Sequence, residues 1–540
     1  MTTTSGTGAL AGRREWIGLI VLAFPTLLLS LDMSVLYLAL PQLTGDLGAG
    51  ATQQLWIMDI YGFMIAGFLV TMGTLGDRIG RRRLLMFGAS AFGVASVLAA
   101  YSTSPEMLIA TRALLGIAGA TLMPSTLALI SNMFRDARQR ASAIGVWMSC
   151  FMGGMTVGPL VGGVLLENFW WGSAFLLGVP VMVILLVTAP ILLPEYRDTS
   201  AGRIDLTSVA LSLAAILPVV YGIKELAKHG WSAAAVVAIV AGAAVGTAFV
   251  HRQRRLEHPL LDLRLFANRT FASALTIQLG GGIVMGGTFL FVTLYLQMVV
   301  GLSPLEAGLW LIPPNLAMVA GFVSAPILAR RFRPAHVMAG GLVLAAIGYV
   351  LLTQVGAVGG RPVLITGFVL ATVGIALPTA LVTDLVVGSA PPEKAGSAAS
   401  ISETGGELGI ALGVATLGSL GAAVYRGRVG ESIGAGVPGA AADSARESLE
   451  GAINAAAQLP AAAGAELLDL ARAAYTTALN SVALLGAGLF LVLAVLAAVL
   501  LRTVRPIGEG ETQGGAQDAG DPAFAGSERG DDLVAAASSR

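Results

Sequence analysis

The chain has 540 residues, 55% of them hydrophobic and only 12% charged, with a mean hydropathy of +0.79. Soluble domains carry about 25% charged residues, and no single aqueous core could bury this much apolar sequence, so the surrounding solvent is a lipid bilayer. Basic and acidic residues balance at 32 each, which gives no reason to expect a nucleic-acid partner. The lone Cys150 excludes an intrachain disulfide, and His229, His251, His258 and His336 form no ligand pattern, so no metal and no cofactor is expected.

Residues 1–15 form a short polar N-terminus. The apolar segment that follows is too long for a signal-peptide core and lacks a small-residue cleavage site, so it reads as a retained first span. Fourteen segments are long enough, or nearly so, to cross a core ~30 Å thick at about 1.5 Å per residue. They run Trp16–Leu40, Leu55–Leu75, Leu84–Tyr101, Met107–Ile130, Ala141–Leu166 and Ser173–Leu193, then Leu206–Ile223 and Ser232–Val250. The last six are Phe271–Val300, Ala307–Leu328, Ala335–Gln354, Val363–Val387, Ala398–Leu420 and Ala478–Leu501. Residues 422–475 form a long, Ala-rich outer loop whose pattern from Ala441 onward predicts short helices lying peripherally on the outer face. The Gly-, Asp-, Glu- and Ser-rich tail 502–540 reads as disordered.

Loop charge tests the count. With the N-terminus inside, 24 of the 32 basic residues fall on the inner side, and Arg112 alone falls inside a span. The outer side holds Lys224, Lys228, Arg361, Arg426, Arg428, Arg446 and Arg472. The positive-inside rule therefore predicts an even number of helices, with both termini cytoplasmic.

Three stretches carry chemistry beyond hydropathy. Between the second and third spans lies Gly73-Thr74-Leu75-Gly76-Asp77-Arg78-Ile79-Gly80-Arg81-Arg82-Arg83. Gly73 and Gly80 permit close approach or a turn. Asp77 can pair with arginines such as Arg78 or Arg81 across a helix interface, a cluster able to shut one face and release it as helices tilt. On the fourth span, Leu108-Ile109-Ala110-Thr111-Arg112-Ala113-Leu114-Leu115-Gly116 places an arginine within the membrane, either as a functional residue or as a partner for a helix end or carbonyl. On the fifth, Gly154, Gly158, Pro159, Gly162 and Gly163 combine four-residue glycine spacing, which allows tight helix contact, with a helix-bending proline. In order, these resemble the inner-loop signature, the fourth-helix arginine motif and the antiporter motif of the major facilitator superfamily. The resemblance implies an all-α polytopic fold of two six-helix halves, residues 16–193 and 266–501, flanking an inserted helix pair within 194–265. Pro326-Ile327-Leu328-Ala329-Arg330-Arg331-Phe332-Arg333 then sits where a second copy of the inner loop belongs.

The spans also hold acids. Asp32 closes the first segment, where a carboxylate costs roughly 2.5–3.5 kcal/mol on insertion scales. It is either a protonated or hydrogen-bonded acid that only joins two helices, or a group that takes up and releases a proton. Asp59 lies near the outer end of the second span and Asp384 near the inner end of the twelfth. Glu403 and Glu407 share one face of the thirteenth, where two close carboxylates should not both stay ionised. Trp56 and Tyr61 are either interfacial belt residues or cation–π partners.

The whole set resembles the fourteen-helix drug:proton antiporters of the quaternary-ammonium exporter type. Asp32 with Ala39-Leu40-Pro41 matches that group's first-helix motif, Asp59 a second-helix acid and Glu403/Glu407 a thirteenth-helix acidic motif. The resemblance implies proton coupling by Asp32, Arg112, Glu407 and Glu403, and substrate contact by Asp59, Trp56, Tyr37 and Glu407. It implies a membrane protein, not an enzyme, that acts as a monomer and exports lipophilic cations across the cell membrane on the proton gradient. The alternative is a dedicated exporter of a self-made antibiotic or other metabolite. Two positions depart from the group: Tyr37 stands where many members have Asn, and the tenth span carries no acid.

Overall fold

The computed structural model of the protein describes residues 10–197, 205–256, 259–389, 395–433 and 437–502. Arg203, His258, Lys394 and the tail 503–540, for which disorder was expected, lie outside the described residues. A bilayer leaves no water for the backbone, so each crossing satisfies its amides within a helix. The helices are α1 (Arg13–Leu47), α2 (Ala51–Ile79), α3 (Arg81–Ala100), α4 (Pro105–Met133), α5 (Ala137–Asn168), α6 (Ser173–Leu176) and α7 (Gly178–Leu192). They continue as α8 (Leu206–His229), α9 (Ala233–Arg255), α10 (Arg269–Leu294), α11 (Pro304–Arg331), α12 (Pro334–Leu352), α13 (Arg361–Gly388) and α14 (Ala395–Ser432). The last are α15 (Gly439–Glu447), α16 (Leu449–Ala456) and α17 (Ala461–Leu500). With α6 and α7 taken as one broken crossing, and α15 and α16 as outer segments, fourteen helices among the described residues are long and apolar enough to span.

Local signals set the ends. Side-chain N-caps from Ser104, Asp136, Asp205, Ser232 and Asn268 open five of these helices. At α11 the Ser303 hydroxyl accepts from Glu306 N while Glu306 accepts from Ser303 N, a reciprocal capping box ahead of Pro304. Gly48 closes α1 in the left-handed region at φ 65°.

Packing divides the crossings into two groups with the same internal plan. In the first, α1 lies on α5, α2 on α4, and α3 on both α4 and α7. In the second, α10 lies on α14, α11 on α13, and α12 on both α13 and α17. The groups meet along two equivalent seams, α2 with α14 and α5 with α11. The Pro326–Arg333 stretch falls at the α11–α12 junction, the counterpart of the α2–α3 junction that carries Gly73–Arg83. The remaining pair, α8 and α9, packs on one seam: α8 contacts both α2 and α14, while α9 is the least buried crossing.

Fourteen crossings bring the first and last described residues, Leu10 and Arg502, to one face, here called the terminal face. Among the described residues, the hydrogen bonds joining the two groups lie at mid-depth or toward the opposite face. Asn315 Nδ2 donates to the Met155 carbonyl at 3.1 Å, and Ser303 Oγ donates to Glu167 at 2.5 Å. Tyr37 adds an edge-on ring contact with Phe289 at 4.7 Å.

Several boundaries move from their expected places. Helix α17 starts at Ala461 rather than Ala478, and α14 runs to Ser432 rather than Leu420. A 40-residue helix is about 60 Å long, so these helices project well past the bilayer on alanine-rich turns too polar to register as spans. Arg426, Arg428 and Arg472 therefore sit on helices, and Lys224 and Lys228 belong to α8, which extends to His229. Nor is the outer segment merely peripheral. Leu449, Ala452, Ala455 and Ala456 bury α16 against the bundle, and Tyr425 Oη donates to the Ala445 carbonyl at 2.9 Å. Glu450 inserts toward the end of α1, accepting from the Thr44 hydroxyl and, at 3.4 Å, from Gln54 Nε2 on α2. Beneath it lies a small, mostly apolar cavity lined by α1, α2, α10 and α14.

Burial pushes the Glu450 carboxyl up to about 7; the Thr44 hydrogen bond opposes that rise and the nearby Asp46 charge adds to it. A free carboxyl near 4.3 binds its proton more weakly than the docked one, so docking is favoured below both values and loses that contribution as pH rises through about 7. Hydrogen exchange of α15–α16 should therefore be slower, relative to the intrinsic amide rate, at about pH 5 than at about pH 8. Glu450→Gln should flatten the difference.

Candidate functional site

The site begins with α1 held in a groove of α5. A methyl group at Gly154 would come within 2.6 Å of the Leu27 carbonyl and overlap Ser30 Oγ, and one at Gly158 would overlap Ser34 Oγ. Gly162 takes Val35 at 3.0 Å in the same way. The glycines thus admit successive turns of α1, the helix that carries Asp32. Gly163 faces the other group: a methyl there would come within 2.5 Å of the Leu305 Cα on α11, and the Pro159 carbonyl packs on Gly308. One motif grips α1 on one side and α11 on the other.

Helix α4 brings the base. Gly116 lies so close to α2 that a methyl group there would stand 2.5 Å from the Tyr61 carbonyl. One turn away, Arg112 Nη1 donates to Asp32 Oδ2 at 2.8 Å and Arg112 Nε donates to the Ile57 carbonyl at 3.3 Å. The guanidinium carbon sits 4.4 Å from the Tyr61 ring centroid. With side-chain exposures of 2% and 9%, Arg112 and Asp32 form a nearly dehydrated pair whose attraction is little screened.

A second pair lies across the α2–α8 contact. Lys224 Nζ sits 2.7 Å from Asp59 Oδ2, with side-chain exposures of 1% and 0%, and 3.7 Å from the Trp56 ring centroid. Asp59 and Trp56 were expected to meet a cationic substrate; here they face a cation of the chain itself. Lys224 was expected in an outer loop. The signal that could have placed it is the acid: a carboxylate at Asp59 needs a base at the same depth, and Lys224 closes the seventh apolar segment.

Glu407 on α14 has no such partner among the described residues, and its Oε2 is buried without a hydrogen bond. Together with Tyr37, Asp59, Tyr61 and Arg112, it lines a narrow cavity between the two groups, walled by Met58, Ile410 and Val414. Tyr37 is 8% exposed. Glu403 lies one turn along α14 toward the terminal face, partly exposed and outside the cavity lining. Asp384 is exposed near the end of α13, away from the cavity.

The Gly73–Arg83 loop is built as a staple. Gly80 turns the chain at φ 112° between α2 and α3. Arg81 Nε donates to Asp77 at 2.8 Å, and Arg81 Nη1 reaches the Pro124 carbonyl on α4 at 3.5 Å. Glu195, beyond α7, accepts from Arg82 N at 3.1 Å, and Arg197 donates to the Arg78 carbonyl at 2.6 Å. These partners all lie in the first group, and a methyl group at Gly73 would have nothing within 4 Å. The expected closure of a face across a helix interface is not made here.

Comparison with known proteins places this geometry among transporters. A profile of the Major Facilitator Superfamily matches residues 22–414. The chain is 42% identical over 489 residues to the multidrug efflux pump LfrA of Mycolicibacterium smegmatis, covering 91% of this chain and 97% of that one. It is 35% identical over 495 residues to the methyl viologen resistance protein SmvA of Salmonella typhimurium, covering 89% and 97%. It is 30% identical over 409 residues to the tetracenomycin C resistance and export protein of Streptomyces glaucescens, covering 75% and 76%. Among solved structures, a bacterial homologue of the lysosomal transporter Spinster aligns with a TM-score of 0.65 at 17% identity over 92% of this chain and 98% of that one.

Removing one member of a buried pair strands the other. Arg112→Met should destabilise the protein by about 3–5 kcal/mol in detergent unfolding, and adding Asp32→Asn should recover much of the loss. Gly158→Val should cost about 1–3 kcal/mol by forcing α1 off α5, whereas Gly427→Ala, with no neighbour within 4 Å, should be nearly silent.

Proposed function

The chain belongs to the major facilitator superfamily, and from that premise we propose that it is a multidrug efflux pump driven by proton exchange, with lipophilic cations as its main cargo. The terminal face is cytoplasmic, as the basic residues of the loops indicate. In that orientation the hydrogen bonds joining the two groups lie at mid-depth and on the outer side, which supports release of the inner side during transport.

The observation that carries the reading is the charge inventory of the cavity. Arg112, the base in the cavity lining, is engaged by Asp32, and Lys224 beside the cavity by Asp59, while Glu407 keeps a buried oxygen with no hydrogen bond. An anion would find no free base there. A lipophilic cation finds a carboxylate, the aromatic side chain of Tyr37 and apolar walls, the combination that recognises alkylammonium and aromatic cations. This favours cations over the neutral or anionic metabolites of a dedicated exporter.

Coupling follows from the same inventory. A proton from outside neutralises Glu407 and releases the cation; a proton on Asp32 weakens its hold on Arg112 and frees α1 and α4 to shift with the rocking of the two halves. Asp77, Arg78 and Arg81, flanked by Gly73 and Gly80, close the inner face in the opposite state. One proton entering through 100 mV supplies about 2.3 kcal/mol; one-for-one exchange with a monovalent cation cancels that electrical part and leaves the pH gradient as the drive.

Ethidium efflux from everted vesicles with an imposed pH gradient tests the reading. The intact protein should transport only while the gradient lasts. Asp32→Asn and Glu407→Gln should each lower the gradient-driven rate at least about tenfold, roughly 1.4 kcal/mol in the barrier. Efflux that persists without a gradient, or an unimpaired Asp32→Asn, would sink the coupling.

A further inference from the structure

Beside the central cavity, Asp59 of its lining is paired with a cation that is covalently part of the chain. Lys224 brings an ammonium at the end of a four-carbon stem to a carboxylate at 2.7 Å and an indole face at 3.7 Å. A carboxylate plus an aromatic face is the recognition chemistry of an alkylammonium ligand. Lys224 Nζ and both Asp59 oxygens are buried and have no conventional hydrogen bond besides this ion pair. The arrangement is sealed from lipid: Phe63 of α2, Val220 of α8, and Ala411 and Ala415 of α14 form a compact apolar cluster at the junction of the three helices.

Helix α8 is also anchored independently of the pair. Arg426 Nη1 of α14 donates to the Ala227 and Lys228 carbonyls at 2.6 and 2.9 Å, and Leu213 packs on Gly67 of α2. The insert thus has its own attachments to both halves. A buried ion pair is a weak source of stability, since paired charges often do no better than apolar residues of similar volume. That leaves the effect of Lys224 on charge as its distinctive contribution. Asp59 and Glu407 stand on opposite groups and line the same cavity. With Lys224 in place, Asp59 is cancelled and Glu407 is the cavity carboxylate without a base.

We propose that Lys224 is a specificity-determining residue that fills a second cation site formed by Asp59 and Trp56, restricting the cavity to substrates with one positive centre. Replacing it with a neutral side chain opens that site to the second positive centre of a dication. The inference rests on the cation-export reading above and adds the number of charges the cargo carries.

The test compares tetraphenylphosphonium, a monocation, with methyl viologen, a dication, in vesicles bearing the full chain and an imposed pH gradient. Lys224→Met should raise the ratio of dication to monocation transport about tenfold, equivalent to about 1.4 kcal/mol. Adding Asp59→Asn should return the ratio to the wild-type value, since it removes the exposed acid while leaving a neutral pair. Should Lys224→Met fail to reach the membrane, Lys224→Gln, which can still donate to Asp59 without a charge, is read in the same way. A ratio within twofold of wild type in the expressed variant, or a gain that persists after Asp59→Asn, overturns the assignment and leaves Lys224 as an anchor for α8. Failure of the wild-type protein to move either cation sinks the export reading instead, so the two failures are separable.

Discussion

A charge in hydrocarbon must be answered by an opposite charge at the same depth, and the interior of this protein is arranged around that demand. Desolvating a carboxylate or an ammonium costs several kcal/mol even after relaxation. Asp32 and Arg112, on α1 and α4, meet it mutually at 2.8 Å, and Asp59 and Lys224, on α2 and α8, at 2.7 Å. Each pair joins helices that are distant in sequence, so each buried charge constrains which helices can lie together. Without Arg112 on α4, an acid in the middle of α1 would be a defect; with it, α1, α2 and α4 form one unit, because the same guanidinium also binds the Ile57 carbonyl and covers Tyr61.

The helices around the Asp32–Arg112 pair approach more closely than side chains normally allow, and glycine supplies the space. Gly116 brings α4 onto α2, so that Arg112 reaches both Ile57 and Asp32; Gly154 and Gly158 let α5 accept the serines of α1. The same glycine-rich stretch presents Gly163 and the Pro159 carbonyl to α11, so the surface that sets the position of the Asp32 helix is also half of a seam between the two groups. A shift along that seam cannot leave α1 untouched. The coupling between charge and motion therefore lies in contiguous contacts, with no need of a longer route through the protein.

Much of this was legible in the sequence. All fourteen crossings, the Gly73–Arg83 turn and the helices carrying Asp32, Arg112 and Glu407 follow from hydropathy and spacing, because the bilayer imposes length and composition on every crossing. The two seams and the α8 contacts did not follow, since periodicity does not say which helix faces which. Lys224 shows how a sound rule misleads. Counting basic residues by loop placed it outside, and nothing in that count asks whether an acid within the membrane needs a base. The ends of α14 and α17 were missed for a related reason: hydropathy finds where lipid ends, while a helix continues as long as its alanines permit. Glu450 was illegible because its burial depends on a tertiary contact between α16 and the end of α1.

Pairing every charge would make a stable interior and a poor transporter. Two complete pairs fix the first group and the insert, yet a cavity in which every acid has a base offers a cargo nothing to replace. Glu407 supplies the difference. It stands on α14, the helix that meets α2 across one seam, and its unpartnered oxygen lines the same cavity as Asp59 and Arg112. A proton or a cation that satisfies Glu407 changes the electrostatic balance at the boundary between the two groups, where a small free-energy difference can bias one packing over another. Because the Asp32–Arg112 and Asp59–Lys224 pairs answer their own charges, Glu407 is the carboxylate of the cavity lining left available.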